Sequence, residues 1–169
     1  MTNAEKAAFA KAVDAYHEPL YRFAWSLARN DAVAADLTQE TFAIFARKLG
    51  SLRDAAKTRS WLFTTLYREF LRLKRRDRFH AEVEPEALET LAPSIGPEGE
   101  DRADEHAILI ALRNLDDAYR APLTLFYLQQ HSYREIAEIL KIPLGTVMSR
   151  ISRGKARLRE ALDLPSPPP

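Results

Sequence analysis

The stretch from Ser132 to Leu162, SYREIAEILKIPLGTVMSRISRGKARLREAL, decides how the rest of the chain is read. Ser132-Tyr-Arg-Glu135 has the spacing of a capping box, in which a hydroxyl and a carboxylate three residues apart satisfy the free N–H groups of a helix start. The short helix that follows would bury Ile136, Ala137 and Leu140, and the small Ala137 lets a second helix cross closely. Lys141-Ile142-Pro143 reads as the turn, because a proline loses nothing at the first helical position. From about Leu144 to Leu162, Val147, Ile151, Gly154, Leu158 and Leu162 share one helical face. Thr146, Ser149, Arg150, Arg153 and Arg157 share the opposite one. Short hydroxyls in front and guanidiniums behind suit a major groove, with the first turns at base edges and the arginines on guanine edges or phosphates. A basic face alone fits a solvated helix of a bundle equally well. Joined to the capping box, the small residue, the tight turn and the proline, it predicts a helix-turn-helix that reads DNA.

Working outward, almost every segment has helical periodicity, and no run alternates with period two over strand length. A first helix is expected through Ala4–Tyr16, with Pro19 breaking or restarting it before Leu20, Phe23, Ala24 and Leu27. Asn30-Asp31 caps the next, which runs to about Leu49 and stops at Gly50. Another spans about Thr58–Arg78, with Leu62, Leu66, Phe70 and Leu73 as its apolar stripe. Residues 79–103 are acidic and rich in Pro and Gly, and are expected to form a flexible linker. Fully extended, they would span roughly 80 Å. Helices resume near Asp104, first with Ile108, Leu109, Leu112 and Leu115, then with Leu123, Phe126 and Tyr127, where Pro122 starts or bends the second. Pro165–Pro169 should be a disordered tail. The expected class is all-α, with two small helical domains at 1–78 and 104–164.

The chain has 169 residues, 46% of them hydrophobic, enough for two small cores. It lacks cysteine, so disulfide, zinc-thiolate and thiol-redox chemistry within the chain are excluded, and a cytoplasmic setting fits. No signal peptide or membrane-length apolar run is visible, so membrane insertion is not expected. The net charge of +1 conceals an asymmetry. Glu82–Glu105 holds nine acidic residues against Arg102 alone, a local −8 that leaves +9 for the remainder. Much of that sits at Arg68–Arg78 and Arg150–Arg159, two basic clusters that fit either a polyanion touched at two places or solvated helix faces. No Gly-rich phosphate loop, H-E-x-x-H pair or G-x-S-x-G elbow is present, and the four histidines are scattered, mostly in polar contexts. An enzyme is therefore not expected, nor a metal or cofactor.

At this point the chain resembles a known family. YREIAEILKIPLGTVMSRISRGKARLREAL (133–162), with ALRNLDDAYRAPLTLFYLQ before it, closely resembles region 4 of bacterial sigma factors, which reads the promoter −35 element. Asp36-Leu-Thr-Gln39-Glu40-Thr-Phe42 is similar to the D-L-x-Q-E-x-F core of sigma region 2, and RSWLFTTLYREFLRLKRR (59–76) resembles the segment that contacts the −10 element. No middle domain fits between them, which is the architecture of the extracytoplasmic-function (ECF) sigma factors of the sigma-70 family. The pattern departs at Met148, where the family commonly has Lys, and at Gly154, where Ala is usual and glycine weakens a helix by up to about 1 kcal/mol. Tyr67-Arg68-Glu69-Phe70 stands where an R-N-x-x-x-D type pattern is frequent.

The resemblance implies a factor that binds core RNA polymerase, through the β′ clamp coiled coil and the β flap, and directs it to promoter DNA. An anti-sigma factor is a further expected partner. Val33, Leu37, Ile44, Phe45 and Leu49 would face the core, leaving Asp36, Gln39 and Glu40 beside Ala43 and Arg47 as a docking surface for the polymerase. For the −35 duplex the expected residues are Tyr133, Thr146, Ser149, Arg150, Arg153, Lys155 and Arg157. For the −10 element they are Lys57, Arg59, Trp61, Arg68, Arg72, Arg75 and Arg76. Arg68, Arg72 and Arg76 recur every four residues and can follow a phosphate backbone. Trp61 is either core or a stacking platform for an unpaired base. The loop 51–58 lies where the family captures a flipped base. A stand-alone helix-turn-helix regulator would leave the Asp36–Phe42 motif idle, and a sigma-like decoy would bind polymerase without starting transcription.

Overall fold

The computed structural model describes residues 1–80 and 100–163, with side chains for 1–77 and 104–163. The chain divides into two compact units, Met1–Leu91 and Ala92–Pro169. Among the described residues there are seven α-helices, two 3₁₀ turns and no strand, in line with the all-α expectation.

The first unit packs α1 (Asn3–Ala28), α2 (Asp31–Lys48) and α3 (Thr58–His80) against one another. The Thr2 hydroxyl and the Glu5 carboxylate close a capping box that opens α1, and Asn30 Oδ1 accepts from the Val33 N–H to open α2. Pro19 does not interrupt α1, contrary to expectation. Its missing N–H frees only the carbonyl of Ala15, which lies on an exposed stretch where water can replace the bond. The turns that follow bury Leu20, Phe23, Ala24, Trp25 and Leu27, an apolar payload that exceeds the cost of the proline. Phe23, Phe45, Phe63, Leu62 and Leu66 complete the core, with Phe9 set against Phe42 and Phe45 at ring distances of 6.3 and 6.1 Å. The Trp25 indole N–H donates to Asp31 Oδ1 at 2.7 Å, pinning the end of α1 to the start of α2. Thr38 and Thr41 are also buried, and each hydroxyl donates to the carbonyl four residues back. Gly50 lies within the 3₁₀ turn Leu49–Ser51 that ends α2, and a second turn, Ala55–Lys57, leads into α3.

The second unit contains α4 (Glu100–Arg113), α5 (Asp117–Tyr127), α6 (Tyr133–Leu140) and α7 (Leu144–Ala161). The helices bounding the expected linker thus extend to His80 on one side and from Glu100 on the other. The acidic Pro/Gly stretch between them and the tail 165–169 lie outside the described residues. Pro122 is the sixth residue of α5 and neither starts nor ends it. The carbonyl it frees, that of Ala118, is again on an exposed residue. Buried Arg120 is 4% exposed. Its Nη2 donates to the Leu115 carbonyl at 2.8 Å and lies 2.9 Å from Asp117 Oδ1, tying α5 to the preceding turn. Arg120→Ala removes the donor from a buried carbonyl and is expected to cost about 2 kcal/mol in chemical denaturation. Unchanged stability would show that this tie carries no weight.

Gly154 sits where α7 crosses α5, and a Cβ there would meet Leu123 Cδ1 at 2.6 Å, Leu123 Cγ at 3.1 Å and Tyr119 Cβ at 3.2 Å. The residue that sequence marks as a weakness is therefore what lets the two helices approach. Leu123 is fully buried, and the contacts to Leu123 Cγ and Tyr119 Cβ lie close to the helix backbone rather than at a side-chain tip. Gly145, four residues from Ser149 on the same helix, has nothing within 4 Å of a built Cβ. Gly145→Ala should accordingly raise the melting temperature, by about 0.5–1 kcal/mol in stability. Gly154→Ala should lower it by about 1–3 kcal/mol despite the same gain in helix propensity. Equal effects of the two substitutions on thermal unfolding would refute the close-crossing account.

Candidate nucleic-acid and protein interfaces

In the second unit, α6, the turn and α7 form the helix-turn-helix read from the sequence. The Ser132 hydroxyl accepts from the Glu135 N–H at 3.1 Å, and Lys141 closes α6 in the left-handed conformation with φ 53°. Pro143 is the N-cap of α7, one position before the first helical place expected for it; Val147, Ile151, Gly154 and Leu158 are buried, as the spacing predicts, while Leu162 ends the helix half-buried. On the other side Ser149, Arg153 and Arg157 are exposed, and Thr146 and Arg150 are half-buried at its margin. These five side chains form one continuous polar and cationic face.

Tyr133 and Lys155 are placed differently. The Lys155 ammonium lies 5.2 Å from the Phe126 ring centre and 5.8 Å from that of Tyr127, a cation–π seat within the unit. The Tyr133 ring lies 5.2 Å from the same Phe126. A two-residue step turns a helix by about 200°, so Lys155 stands on a different flank from Arg153 and Arg157. His131 also departs from the expectation of polar surroundings. It is buried, with Nδ1 2.9 Å from Glu135 Oε2 and its backbone N–H donating to the Leu125 carbonyl at 3.0 Å. Nothing in its neighbours, Gln130 and Ser132, signals that burial.

In the first unit, Asp36, Gln39 and Glu40 are exposed on α2, and Glu40 Oε1 lies 3.3 Å from Arg47 Nη2. A cleft of about 400 Å³ runs between α2 and α3, where Asp36 and Glu40 face Glu69, Arg72 and Arg76 over an apolar floor of Val33, Leu37 and Leu73. Sequence reading treats the acidic face and the arginine stripe as separate surfaces, but the fold brings parts of them into one cleft. Helical geometry supplies the reason, because each four-residue step rotates a stripe by about 40°. Arg72 and Arg76 have turned toward α2, while Arg68 and Arg75 remain exposed outside the cleft lining. Arg72 Nη1 lies 3.2 Å from Glu69 Oε2, a contact that the expected stripe did not include.

The loop 51–58 is more ordered than a plain loop. Asp54 Oδ1 accepts from the Ala56 N–H at 3.0 Å, and exposed Lys57 closes the second 3₁₀ turn. Arg59 is half-buried in the first turn of α3. Half-buried Trp61 packs its ring 5.8 Å from that of buried Phe45, a boundary position rather than a free platform.

Two family models match in the order of the two units. Residues 12–80 match Sigma-70 region 2, and residues 105–158 match Sigma-70, region 4. The ECF RNA polymerase sigma factor SigW of Bacillus subtilis (strain 168) is 32% identical over 170 residues, covering 94% of this chain and 90% of that protein. This chain is a sigma-70 family sigma factor of the extracytoplasmic-function group. SigE of Mycolicibacterium smegmatis is 34% identical, with 85% of this sigma factor and 57% of the relative covered. Among solved structures, the sigma factor RpoE in complex with the anti-sigma factor NepR from Bartonella quintana matches with a TM-score of 0.77 and 27% identity, over 94% of this chain and 98% of that one. The sigma factor is a promoter-directing transcription initiation factor. A stand-alone helix-turn-helix regulator is set aside, because α1–α3 belong to a matched region 2. No helix among the described residues is long and apolar enough to cross a membrane.

Proposed function

We propose that the two units divide promoter reading between them, region 2 over 1–78 and region 4 over 104–164, with 79–103 as linker. The observation that carries this is the outer face of α7, where Thr146, Ser149, Arg150, Arg153 and Arg157 stand together opposite a fully packed stripe. That face enters the major groove of the −35 duplex, with hydroxyls toward base edges and guanidiniums toward guanine edges or phosphates. Lys155 and Tyr133 act at one remove, by bracing Phe126 and Tyr127 beside that helix.

Asp36, Gln39 and Glu40 dock on core polymerase. Arg68 and Arg75, with Lys57 and Arg59 at the start of α3, follow the −10 backbone, while Arg72 and Arg76 straddle that surface and the α2 cleft. Trp61 holds the wall beside the melted strand rather than serving as a free stacking ring. The melted strand is retained by phosphate and base contacts that offset its unstacking. The sigma factor itself makes and breaks no bond, and it acts in the cytoplasm. An anti-sigma factor is its regulator, by likeness to the Bartonella protein solved with NepR.

Genome-wide run-off transcription with reconstituted holoenzyme tests the reading. Discrete starts sharing two spaced upstream elements are expected. Tight core binding without any specific start would leave a decoy instead.

A further inference from the structure

The cleft between α2 and α3 sets the carboxylates of Asp36, Glu40 and Glu69 against the guanidiniums of Arg72 and Arg76. Three negative groups against two positive ones give its lining a formal charge of −1. Among the described residues no ion pair joins the two walls. Glu40 reaches Arg47 on its own helix at 3.3 Å, and Arg72 reaches Glu69 on its own at 3.2 Å. The charges that face each other across about 400 Å³ are thus not spent on holding the two helices together.

Nucleic acid fits this cleft poorly. Phosphates would meet more carboxylate than guanidinium, and they gain nothing from an apolar floor of Val33, Leu37 and Leu73. A protein surface fits, because one element can present both signs of charge with apolar side chains between them. The cleft is also continuous with the face of α2 that docks on core polymerase, since Asp36 and Glu40 belong to both.

We propose that Arg72 and Arg76 are polymerase-docking residues, which receive acidic side chains of the same polymerase element whose basic side chains Asp36 and Glu40 receive. The inference deepens the reading of α2 as the polymerase-docking face and rests on it. It takes both arginines out of the −10 stripe and leaves that backbone to Arg68 and Arg75, which are exposed outside the cleft lining. A guanidinium grips a carboxylate at two points, so it fixes the register of the docked element as well as attracting it. Walls of opposite sign also reject an element docked the wrong way round, because like charges would then face each other.

The test titrates labelled full-length sigma factor with core enzyme and, separately, preformed holoenzyme with promoter DNA across a salt series. Arg72→Ala with Arg76→Ala should weaken core binding about tenfold, and Arg72→Glu with Arg76→Glu about a hundredfold. Both side chains are exposed, so the melting transition should stay that of wild type. Arg76→Lys keeps the charge but not the two-point grip, and it should weaken core binding less than Arg76→Ala. At saturating core the alanine pair should keep the wild-type salt slope of promoter binding, whereas two lost phosphate contacts would flatten it by about two units. Arg68→Ala with Arg75→Ala should do the reverse, flattening that slope while core affinity is retained. Wild-type core affinity in both the alanine and the glutamate pair overturns the proposal, and so does a flattened promoter slope in the alanine pair. Asp36→Asn with Glu40→Gln separates the two levels. If that neutral pair weakens core binding and the arginine variants do not, only the assignment of Arg72 and Arg76 falls. If neither set weakens it, the docking reading of α2 falls as well.

Discussion

Replacing Arg150 and Arg153 together with alanine is expected to lower transcription from a −35-dependent promoter by about a hundredfold or more. Each guanidinium that grips a guanine edge contributes about 1–3 kcal/mol of discrimination, and a tenfold change corresponds to about 1.4 kcal/mol. Arg153 is exposed and Arg150 half-buried, and neither belongs to the buried stripe of α7, so the double variant should fold with an unchanged melting transition. The two residues lie three apart on one face, so their single effects need not add, and the double-mutant cycle is itself informative. Titrating holoenzyme onto promoter DNA across a salt series separates the two modes of contact. A phosphate-bound arginine flattens the salt slope by about one unit when removed, whereas a base-bound one relaxes sequence preference with little change in slope. Arg157→Ala, one turn further along, should show the phosphate behaviour. Wild-type promoter strength in the double variant would remove α7 from the recognition surface.

Charge reversal at Asp36 and Glu40 is the second large effect, an expected loss of core-polymerase affinity of about a hundredfold or more. Close charge pairs across protein interfaces couple by about 1.5–7 kcal/mol, and like charges placed opposite each other add a penalty. Both carboxylates are exposed, so solvent screening places these pairs toward the lower end of that range. Reversal also acts within the cleft. Asp36→Lys and Glu40→Lys put two ammonium groups beside Arg72 and Arg76, and they release Arg47 from Glu40. Asp36→Asn with Glu40→Gln removes the charges while keeping size, and it should cost roughly tenfold without a detectable fall in melting temperature. Fluorescence anisotropy of labelled sigma factor against core enzyme reads both. If the neutral pair binds like wild type while the reversed pair fails, α2 touches polymerase only at its margin and repulsion accounts for the loss.

The helix-turn-helix was legible almost residue by residue. Its signals are local, since a capping serine, an apolar spacing and a proline each act within a few residues of themselves. The buried stripe of α7 and the Asn30 cap of α2 emerged where sequence placed them for the same reason. The misreading of Pro19 as a break, and of Pro122 as a possible helix start, came from the opposite situation. A proline rule counts one lost hydrogen bond, whereas the fold also counts the apolar side chains buried beyond it and the exposure of Ala15 and Ala118 to solvent. The burial of His131 and Arg120 could not be read from the sequence, because burial of a polar group depends on partners brought by the chain's turns, here Glu135, Leu125, Leu115 and Asp117.

By itself the sequence determined the all-α class, the order of the two regions, the polar and cationic row of α7 and the acidic face of α2, because periodicity and motif spacing are properties of the chain. Only the tertiary structure decided that Arg72 and Arg76 share a cleft with Asp36 and Glu40, that Lys155 is seated on Phe126, and that Gly154 is a crossing point. Each of those facts concerns two helices at once. The distance between helices is set by the packing of every side chain between them, which no single stretch of sequence encodes.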